Sequence, residues 1–248
     1  MVNVAPLSAR DTFILTNDAS QPFPDGDPCD LPQIMRFTVT KSRGCTKPLT
    51  TLRNLRSKTA PITRLTGLEV DRTRSMTLVE ISDPDTGPLM ALMNNRTFDD
   101  TLMEPMTVNS NALEEWELIN TTGDAHPMHL HFTQFQVLNR QSIDVDRYVA
   151  AAGYDGTPGS GMMPPTAAGP YLTGDSGPRP PAANERGWKD TVVALPGEVT
   201  RIRVPFGPHA VPGSPMAIGR AHTGKYVSHC HILEHEENDM MMRFVIEK

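Results

Sequence analysis

Two short windows of the chain hold six of its eight histidines. The first window is HPMHLH (126–131) and the second is HCHILEHEENDM (229–240). Imidazole nitrogen, thiolate sulfur and thioether sulfur are ligands of copper and zinc in proteins. A single His-x-His pair is often an accident of composition. Two such pairs, one of which encloses a cysteine and is followed by a histidine and a methionine, indicate a metal site.

The second window carries most of a blue-copper site. Such a site needs two imidazoles and one thiolate in a trigonal set, with a weak axial thioether. Cys230, His235 and Met240 supply the thiolate, one imidazole and the thioether from a strand and the loop after it, at intervals of five residues. The second imidazole must come from elsewhere in the chain, and His126 is the candidate.

The residues on either side of the cysteine predict a second metal centre. Neighbouring side chains of a strand point to opposite faces. If Cys230 faces one metal, His229 and His231 face away from it and can bind other ions. His129 and His131 share a face in the same way, so four imidazoles are expected to converge one residue from the cysteine. An electron that reaches a metal at Cys230 then has a short covalent route to the second centre.

Zinc is the alternative metal, because cysteine and histidine also suit it. The candidate axial methionine and the lack of a second cysteine in the two windows favour copper. Met241 and Met242 directly follow Met240 and are expected to pack in the core. His209 and His222 fall in a stretch rich in proline and glycine, and we expect them to be surface residues.

The elements that position these ligands are expected to be strands. The 248 residues include 23 prolines and 18 glycines, which favour many turns between short segments. Alternating apolar and polar residues, at a regular spacing between turn signals, predict an all-β sandwich or barrel. The predicted strands are TFILT (12–16), IMRFTVT (34–40), SMTLVEI (75–81), LMALMNN (89–95), EEWELIN (114–120), FQVLNR (135–140), DTVVAL (190–195), VTRIRVPF (199–206), KYVSHCH (225–231) and MRFVIE (242–247).

Other features of the sequence narrow the class of protein. The net charge of −6 offers no concentrated basic surface for nucleic acid. No stretch approaches the roughly 18 apolar residues of a membrane-spanning helix. The segment 149–187 is predicted to be an irregular loop. Cys29 and Cys45 could pair with each other, pair elsewhere or stay free, and their spacing leaves this open.

The two histidine windows resemble the C-terminal copper motifs of multicopper oxidases, in particular bacterial spore-coat laccases and bilirubin oxidases. The segments ILTNDA (14–19), IMRFTV (34–39), GWKDTVVALPGEVTRIRVPFGP (187–208) and KYVSHCHILEHE (225–236) extend the likeness over most of the chain. The resemblance implies a Greek-key cupredoxin β-sandwich over residues 66–248. It also implies that residues 1–40 are closing strands of a preceding cupredoxin domain and that 41–65 form a linker.

The resemblance further implies a role for each ligand. His126, Cys230 and His235 would bind a type 1 copper with Met240 axial, His129 would bind a type 2 copper, and His131, His229 and His231 would bind a type 3 pair. Glu236 matches an acid that delivers protons to dioxygen in this family, and a carboxylate beside a copper ligand suits that task. The alternative is that Glu236 is a solvated member of the acidic run at 234–239.

The chain departs from the family in one respect. A complete enzyme has a further pair of His-x-His motifs in its first domain, and this sequence has none. The type 2 and type 3 coppers would therefore be half-liganded by this chain, and missing N-terminal cupredoxin domains, in the same gene or another chain, would complete them.

Two functions follow from the resemblance. The first is the C-terminal part of a laccase-like oxidase, which passes single electrons from a small reducing substrate to dioxygen. The alternative is an isolated type 1 copper-binding or electron-transfer module without oxidase activity.

Overall fold

The computed structural model describes residues 7–21, 23–41, 62–83, 85, 87–99, 105–174, 177–207 and 223–248. The chain divides into two compact units, Met1–Pro61 and Ile62–Lys248. The domain boundaries near residues 40 and 65 stay predictions.

The described part of the first unit is built from two small antiparallel pairs. Its strands are β1 (Thr12–Thr16), β2 (Ser20–Gln21), β3 (Asp27–Pro28) and β4 (Gln33–Thr38), with β1 paired to β4 and β2 to β3. The rings of Phe13 and Phe37 stack at a centroid distance of 4.7 Å across the first pair. Ile34 and Met35 expose 59% and 52% of their surface. These apolar side chains are exposed because two strands cannot bury a core without further strands or a helix packed against them.

The second unit is a sandwich of two five-stranded sheets. Its strands are β5 (Arg72–Asp83), β6 (Gly87–Met93), β7 (Met106–Asn109), β8 (Leu113–Asn120), β9 (His126–Leu130), β10 (Gln136–Ser142), β11 (Thr191–Ala194), β12 (Glu198–Pro205), β13 (Gly224–Cys230) and β14 (Met241–Glu247). One sheet has the order β10-β12-β8-β5-β6 and the other has the order β11-β9-β13-β14-β7. From β6 to β13 successive strands alternate between the two sheets, as in Greek-key sandwiches, and the all-β prediction is confirmed. In this unit β7 and β9 are absent from the strand segments predicted from sequence, although the expected shared face of His129 and His131 assumes a strand at β9.

The core lies between the two sheets because alternate side chains of each strand point inward. Met242, Phe244 and Ile246 of β14 are buried, while the residues between them are partly exposed. Trp116 of β8 meets Phe244 edge to face at 6.0 Å, so the aromatic rings join the sheets across the core. Burial of each such side chain contributes about 2–3 kcal/mol.

Two short α-helices interrupt the strands. Helix α1 (Val145–Ala152) begins after Asp144, whose carboxylate accepts a hydrogen bond from the backbone N–H of Arg147. It ends at Gly153, which has a left-handed φ of 77°. The segment predicted as irregular from residue 149 therefore starts with the end of a helix. Helix α2 (Leu233–Glu237) occupies the predicted loop around His235. No helix in the described part of the chain is both long and apolar enough to cross a lipid bilayer.

A buried ion pair ties the long segment 149–187 to the sandwich. Glu185 lies in a 3₁₀ turn (Ala183–Glu185), and its carboxylate accepts two hydrogen bonds, of 2.5 and 2.8 Å, from Arg140 of β10. The same guanidinium donates to the backbone carbonyl of Val193 in β11 at 2.8 Å. These hydrogen bonds hold the pKa of Glu185 below its usual value.

We expect Glu185→Gln to lower the free energy of unfolding by about 2 kcal/mol at pH 7, because it leaves a buried guanidinium without its charged partner. The depressed pKa makes this stabilisation present above the usual carboxyl range and lost as the pH falls through the folded value. Denaturant melts at pH 7 and at low pH measure both effects. The matched control is Glu198→Gln, whose partner Arg179 is 52% exposed and whose loss should cost about 0.5 kcal/mol or less. Equal losses in the two variants would contradict the assignment.

Candidate metal centre

The strand pairing of β9 with β13 brings the first three predicted ligands together. Cys230 lies opposite Met128, and His126 lies two residues before Met128, so His126 and Cys230 face the core from neighbouring strands. The Sγ atom of Cys230 is 3.8 Å from Nδ1 of His126 and 3.8 Å from Nδ1 of His235. The two Nδ1 atoms are 3.2 Å apart. His126 and Cys230 have no exposed surface.

This triangle has the dimensions of a trigonal metal site. With bonds of about 2.0 Å to nitrogen and about 2.3 Å to sulfur, the edges of a trigonal ligand triangle are about 3.5 Å and about 3.7 Å. The observed edges of 3.2 and 3.8 Å match these values closely. One Cys and two His around a buried centre is the donor set of a blue-copper ion. The residues present therefore fit copper.

Met240 ends the segment 230–240, and backbone hydrogen bonds hold it beside Cys230 and His235. The backbone N–H of Cys230 donates to the carbonyl of Met240 at 2.9 Å, and the N–H of Met240 donates to the carbonyl of His235 at 2.9 Å. Asp239 allows the chain to turn back, because it adopts a left-handed φ of 73° that aspartate tolerates better than most residues. The side chain of Met240 is fully buried in the same core cluster as Cys230. The helix, the turn and the two hydrogen bonds thus hold three predicted ligands in one compact segment.

The opposite face of the same two strands carries the other four imidazoles. His129 and His229 are directly opposite each other in the register of β9 and β13. The ring centroid of His129 lies 5.1 Å from the ring centroid of His131, 5.4 Å from that of His229 and 5.3 Å from that of His231. The Nε2 atoms of His131 and His229 are 3.1 Å apart. Four rings therefore meet at one place on the outer face of this sheet.

Backbone carbonyl groups determine which ring nitrogen carries the proton in two of these histidines. Nδ1 of His129 lies 2.9 Å from the carbonyl oxygen of Asp190, and Nδ1 of His229 lies 2.9 Å from that of Cys230. A carbonyl oxygen only accepts hydrogen bonds, so both Nδ1 atoms carry the proton. The Nε2 lone pairs of both rings are left for a metal. Glu236 lies beside this cluster, with Oε2 3.3 Å from Nδ1 of His229.

Burial controls the charges around the first triangle. It lowers the pKa of His126 to about 3, with a smaller contribution from His235, so the ring is neutral. It raises the pKa of the Cys230 thiol to about 12, so a metal must displace the thiol proton to bind. Glu80 Oε1 lies 3.4 Å from Nε2 of His126, and burial followed by repulsion from Asp124 raises the pKa of Glu80 to about 7. Because His126 is neutral, this contact is not an ion pair.

Comparisons with known proteins show the family of the chain. Residues 69–248 match the family model described as multicopper oxidase. The chain belongs to the multicopper oxidase family. A laccase of Bacillus subtilis is 36% identical over 172 residues, which cover 69% of this chain and 27% of that protein. A laccase of Bacillus stratosphericus is 32% identical over 232 residues, which cover 93% of this chain and 38% of that protein.

A solved structure supports the fold. The McoA multicopper oxidase of Aquifex aeolicus superimposes with a TM-score of 0.59 at 23% identity, over 100% of this chain and 43% of that one. At this identity the likeness concerns the fold alone. The chain spans well under half the length of each of these multicopper oxidases. Membership of the family implies copper as the metal.

All eight predicted ligands lie in the described part of the chain, in two groups on opposite sides of the β9–β13 pair. The copper type assigned to each ligand stays a prediction. Met242 is buried, and its sulfur accepts a hydrogen bond from Asn94 at 3.5 Å, as a packing residue can. His209, His222 and Cys45 lie outside the described residues. Among the described residues Cys29 has no disulfide partner.

Sequence reasoning missed the residues that surround His126. The hydroxyl oxygen of Thr122 is 2.6 Å from Nε2 of His126, and Asp124 Oδ2 is 4.0 Å from Nε2 of His235. Glu80 reaches the same place from β5 in the facing sheet. Thr122 and Asp124 could have been found from the turn-forming run NTTGD (120–124) directly before a candidate ligand. No signal in the sequence links Glu80 to this site, because 46 positions separate it from His126.

We expect Cys230 to resist alkylation in the folded, metal-free chain, because its thiol is fully buried and its pKa is raised. Iodoacetamide labelling followed by peptide mass mapping should modify the partly exposed Cys29 first and Cys230 only in denaturant. Labelling of Cys230 at the rate of Cys29 under native conditions would show that the centre is open to solvent.

Proposed function

We propose that the chain is the C-terminal copper-binding portion of a laccase-like oxidase that couples one-electron oxidation of a small reducing substrate to the reduction of dioxygen. One observation carries the proposal. Cys230 belongs to a trigonal ligand triangle, and its chain neighbours His229 and His231 belong to a four-imidazole cluster on the opposite face. A plain electron-transfer protein needs only the first of these sites.

Each site would hold copper of a particular type. His126, Cys230, His235 and Met240 would hold the type 1 ion, His129 would hold the type 2 ion, and His131, His229 and His231 would hold the type 3 pair. Copper bound in these positions supplies one-electron redox chemistry, in which four electrons and four protons convert one dioxygen to two waters. Cys230 is joined covalently to both His229 and His231, so a single residue connects the two sites.

The reducing substrate would deliver its electrons near His235. This histidine is 14% exposed, whereas His126 and Cys230 are fully buried, so solutes can approach the triangle most closely at its ring. Phenols, bilirubin-like pigments and low-valent metal ions are candidate substrate classes.

Glu236 would supply protons on the other face. Its carboxylate is 30% exposed and lies 3.3 Å from Nδ1 of His229, so it contacts both solvent and a cluster ligand. A group placed in this way can take protons from water and pass them toward the cluster, as dioxygen reduction requires.

Further cupredoxin domains, in the same gene or another chain, would complete the cluster. Family members surround the trinuclear site with eight histidines, and the proposal assigns four of them here. Residues 1–40 would be closing strands of a preceding domain, and 66–248 would be the last domain. The large exposed fractions of Ile14, Ile34 and Met35 support further strands over the β1–β4 pair.

A type 1 copper module without oxidase activity is the second candidate. The observation that favours it is the difference between the two sites. The three triangle residues all come from this chain, and only His235 among them has exposed surface, whereas His131 and His231 of the cluster are exposed.

Copper titration of the full chain tests the type 1 assignment. We expect about one tightly bound copper and an intense blue absorption band, because a thiolate–copper bond in a trigonal site produces that colour. Cys230→Ser should abolish the band, and Cys29→Ser should leave it unchanged. A colourless complex, or a band that survives Cys230→Ser, would contradict the type 1 site.

Oxygen uptake separates the two candidate functions. The chain alone should bind about one copper and consume no dioxygen. Addition of the cupredoxin domains that carry the remaining histidines should raise the copper content to about four and start turnover. A complete assembly that holds type 1 copper but consumes no dioxygen favours the module.

Glu236→Gln in the complete oxidase should lower kcat for dioxygen reduction by about 100-fold or more and leave the blue band unchanged, because the proton donor acts on the far side of Cys230. Glu237→Gln is the matched control on the same helix, where the carboxylate is exposed and kcat should not change. Equal effects of the two substitutions would assign Glu236 to the solvated acidic run.

A further inference from the structure

We infer that Asn120, acting through the hydroxyl of Thr122, places the proton of His126 on Nε2 and so keeps Nδ1 free to bind the ion. Asn120 and Thr122 are positioning residues, because they act on Nε2 of His126 and not on the ligand atoms of the triangle. The two side chains and the His126 ring form one continuous series of hydrogen bonds in the connection between β8 and β9.

The side-chain amide of Asn120 has only one possible orientation. Its Nδ2 lies 2.7 Å from the carbonyl oxygen of Asp124 and 3.0 Å from that of Ala194. Carbonyl oxygens only accept, so the amide nitrogen must face them and Oδ1 must face the other way. Asn120 is fully buried, and a flipped amide would place Oδ1 against these two carbonyl oxygens, with no hydrogen between the acceptors.

The fixed amide gives the single hydroxyl proton of Thr122 a nearby acceptor. Oδ1 of Asn120 accepts from the backbone N–H of Thr122 at 2.9 Å, and the Thr122 hydroxyl lies 2.9 Å from the same oxygen. The hydroxyl oxygen also accepts from the backbone N–H of Asp124 at 3.2 Å. The carbonyl oxygen of Asp124, 3.3 Å from the hydroxyl, is a second and more distant acceptor for the same proton. With its proton given to either of these oxygens, the hydroxyl presents a lone pair to Nε2 of His126 at 2.6 Å. A lone pair at that distance requires the ring to donate, so Nε2 carries the proton.

Glu80 adds a second oxygen on the same side of the ring. Its Oε1 has no hydrogen-bond partner among the described residues and lies 3.4 Å from Nε2 of His126. Two oxygens therefore face Nε2, whereas Nδ1 faces the sulfur of Cys230 and the Nδ1 atom of His235. Nε2 thus faces oxygen atoms that can accept its proton, and Nδ1 faces the other predicted ligand atoms.

The metal-free chain tests the inference directly. A neutral imidazole with its proton on Nε2 is distinguished from the other tautomer by long-range proton–nitrogen NMR correlations of ¹⁵N-labelled histidine rings. We expect His126 to show the Nε2–H form in the wild-type chain and in Thr122→Ser, which keeps the hydroxyl. Thr122→Val, which keeps the shape and removes the hydroxyl, should give a mixture of the two tautomers.

Thr121→Val is the matched control. The hydroxyl of Thr121 donates to the carbonyl of Leu78 at 2.7 Å and takes no part in the series, so the substitution should leave the His126 tautomer unchanged. An Nδ1–H tautomer in the wild-type chain, or an unchanged Nε2–H tautomer in Thr122→Val, would overturn the inference. The wild-type measurement alone decides the first point if a variant fails to fold.

The consequence for copper rests on the proposed function. Loss of the hydrogen bond behind a ligand histidine lowers metal affinity by about 10–100-fold, so Thr122→Val should weaken copper binding by this factor in competition with a chelator. Thr122→Ser and Thr121→Val should bind as the wild type does. Unchanged affinity in Thr122→Val would overturn the link to metal binding. Failure of the wild-type chain to bind copper would contradict the proposed function and leave the NMR result as it stands.

Discussion

The pairing of β9 with β13 is the constraint on which both predicted metal sites depend. Because side chains alternate along a strand, the pairing sends His126 and Cys230 inward and sends His129 and His229 outward. A shift of the register by one residue would exchange the two faces of β9 relative to β13 and would separate His126 from Cys230 and His129 from His229. Ser228 reinforces this register, since its hydroxyl donates a hydrogen bond to the backbone carbonyl of His129 at 3.0 Å. The rest of the sandwich serves to keep these two strands adjacent and in register.

The core stabilises that pairing from the inner side. β14 lies on the other side of β13 and contributes Met242, Phe244 and Ile246 to the same interior as Cys230. The ligand triangle is therefore part of the hydrophobic core, which excludes water from it and keeps the imidazole and the thiol neutral without metal. A soft metal with a preference for thiolate and imidazole suits such a place better than a hard, strongly hydrated ion. Packing and metal selectivity thus have the same physical origin here.

Much of the sandwich could be predicted from sequence, because apolar alternation and turn residues are local signals. The segments VTRIRVPF and MRFVIE coincide with β12 and β14 to within one residue at each end. β7 could not be found in this way, since its four residues are too few to show a period and it forms by pairing in parallel with β14. Helix α2 escaped prediction for a similar reason, because a five-residue helix depends on tertiary contacts more than on propensity.

The convergence of the histidines could also be anticipated, because spacing on a strand determines which side chains share a face. The residues that orient the imidazole rings by hydrogen bonds could not be anticipated from the sequence. Nδ1 of His129 finds a carbonyl 61 positions away, and Glu80 reaches His126 from the opposite sheet. Contacts of this kind depend on the three-dimensional register of several strands, which periodicity within one segment does not contain. Thr122 is the exception, since it lies four residues before His126 in the same turn.

The two sites leave different ring nitrogens free, and the difference follows from where each ring lies. On the outer face of the sheet, strand carbonyls lie close to Nδ1, the ring nitrogen nearer the backbone, and hold it in His129 and His229. The free Nε2 atoms then extend away from the sheet, toward a surface where another domain can contribute ligands. On the inner side, Nε2 of His126 is the nitrogen that is held, and the free Nδ1 keeps the centre close to the strands and away from solvent. Hydrogen bonds behind the ligands therefore distinguish a closed site, complete within the chain, from an open one that a partner would complete.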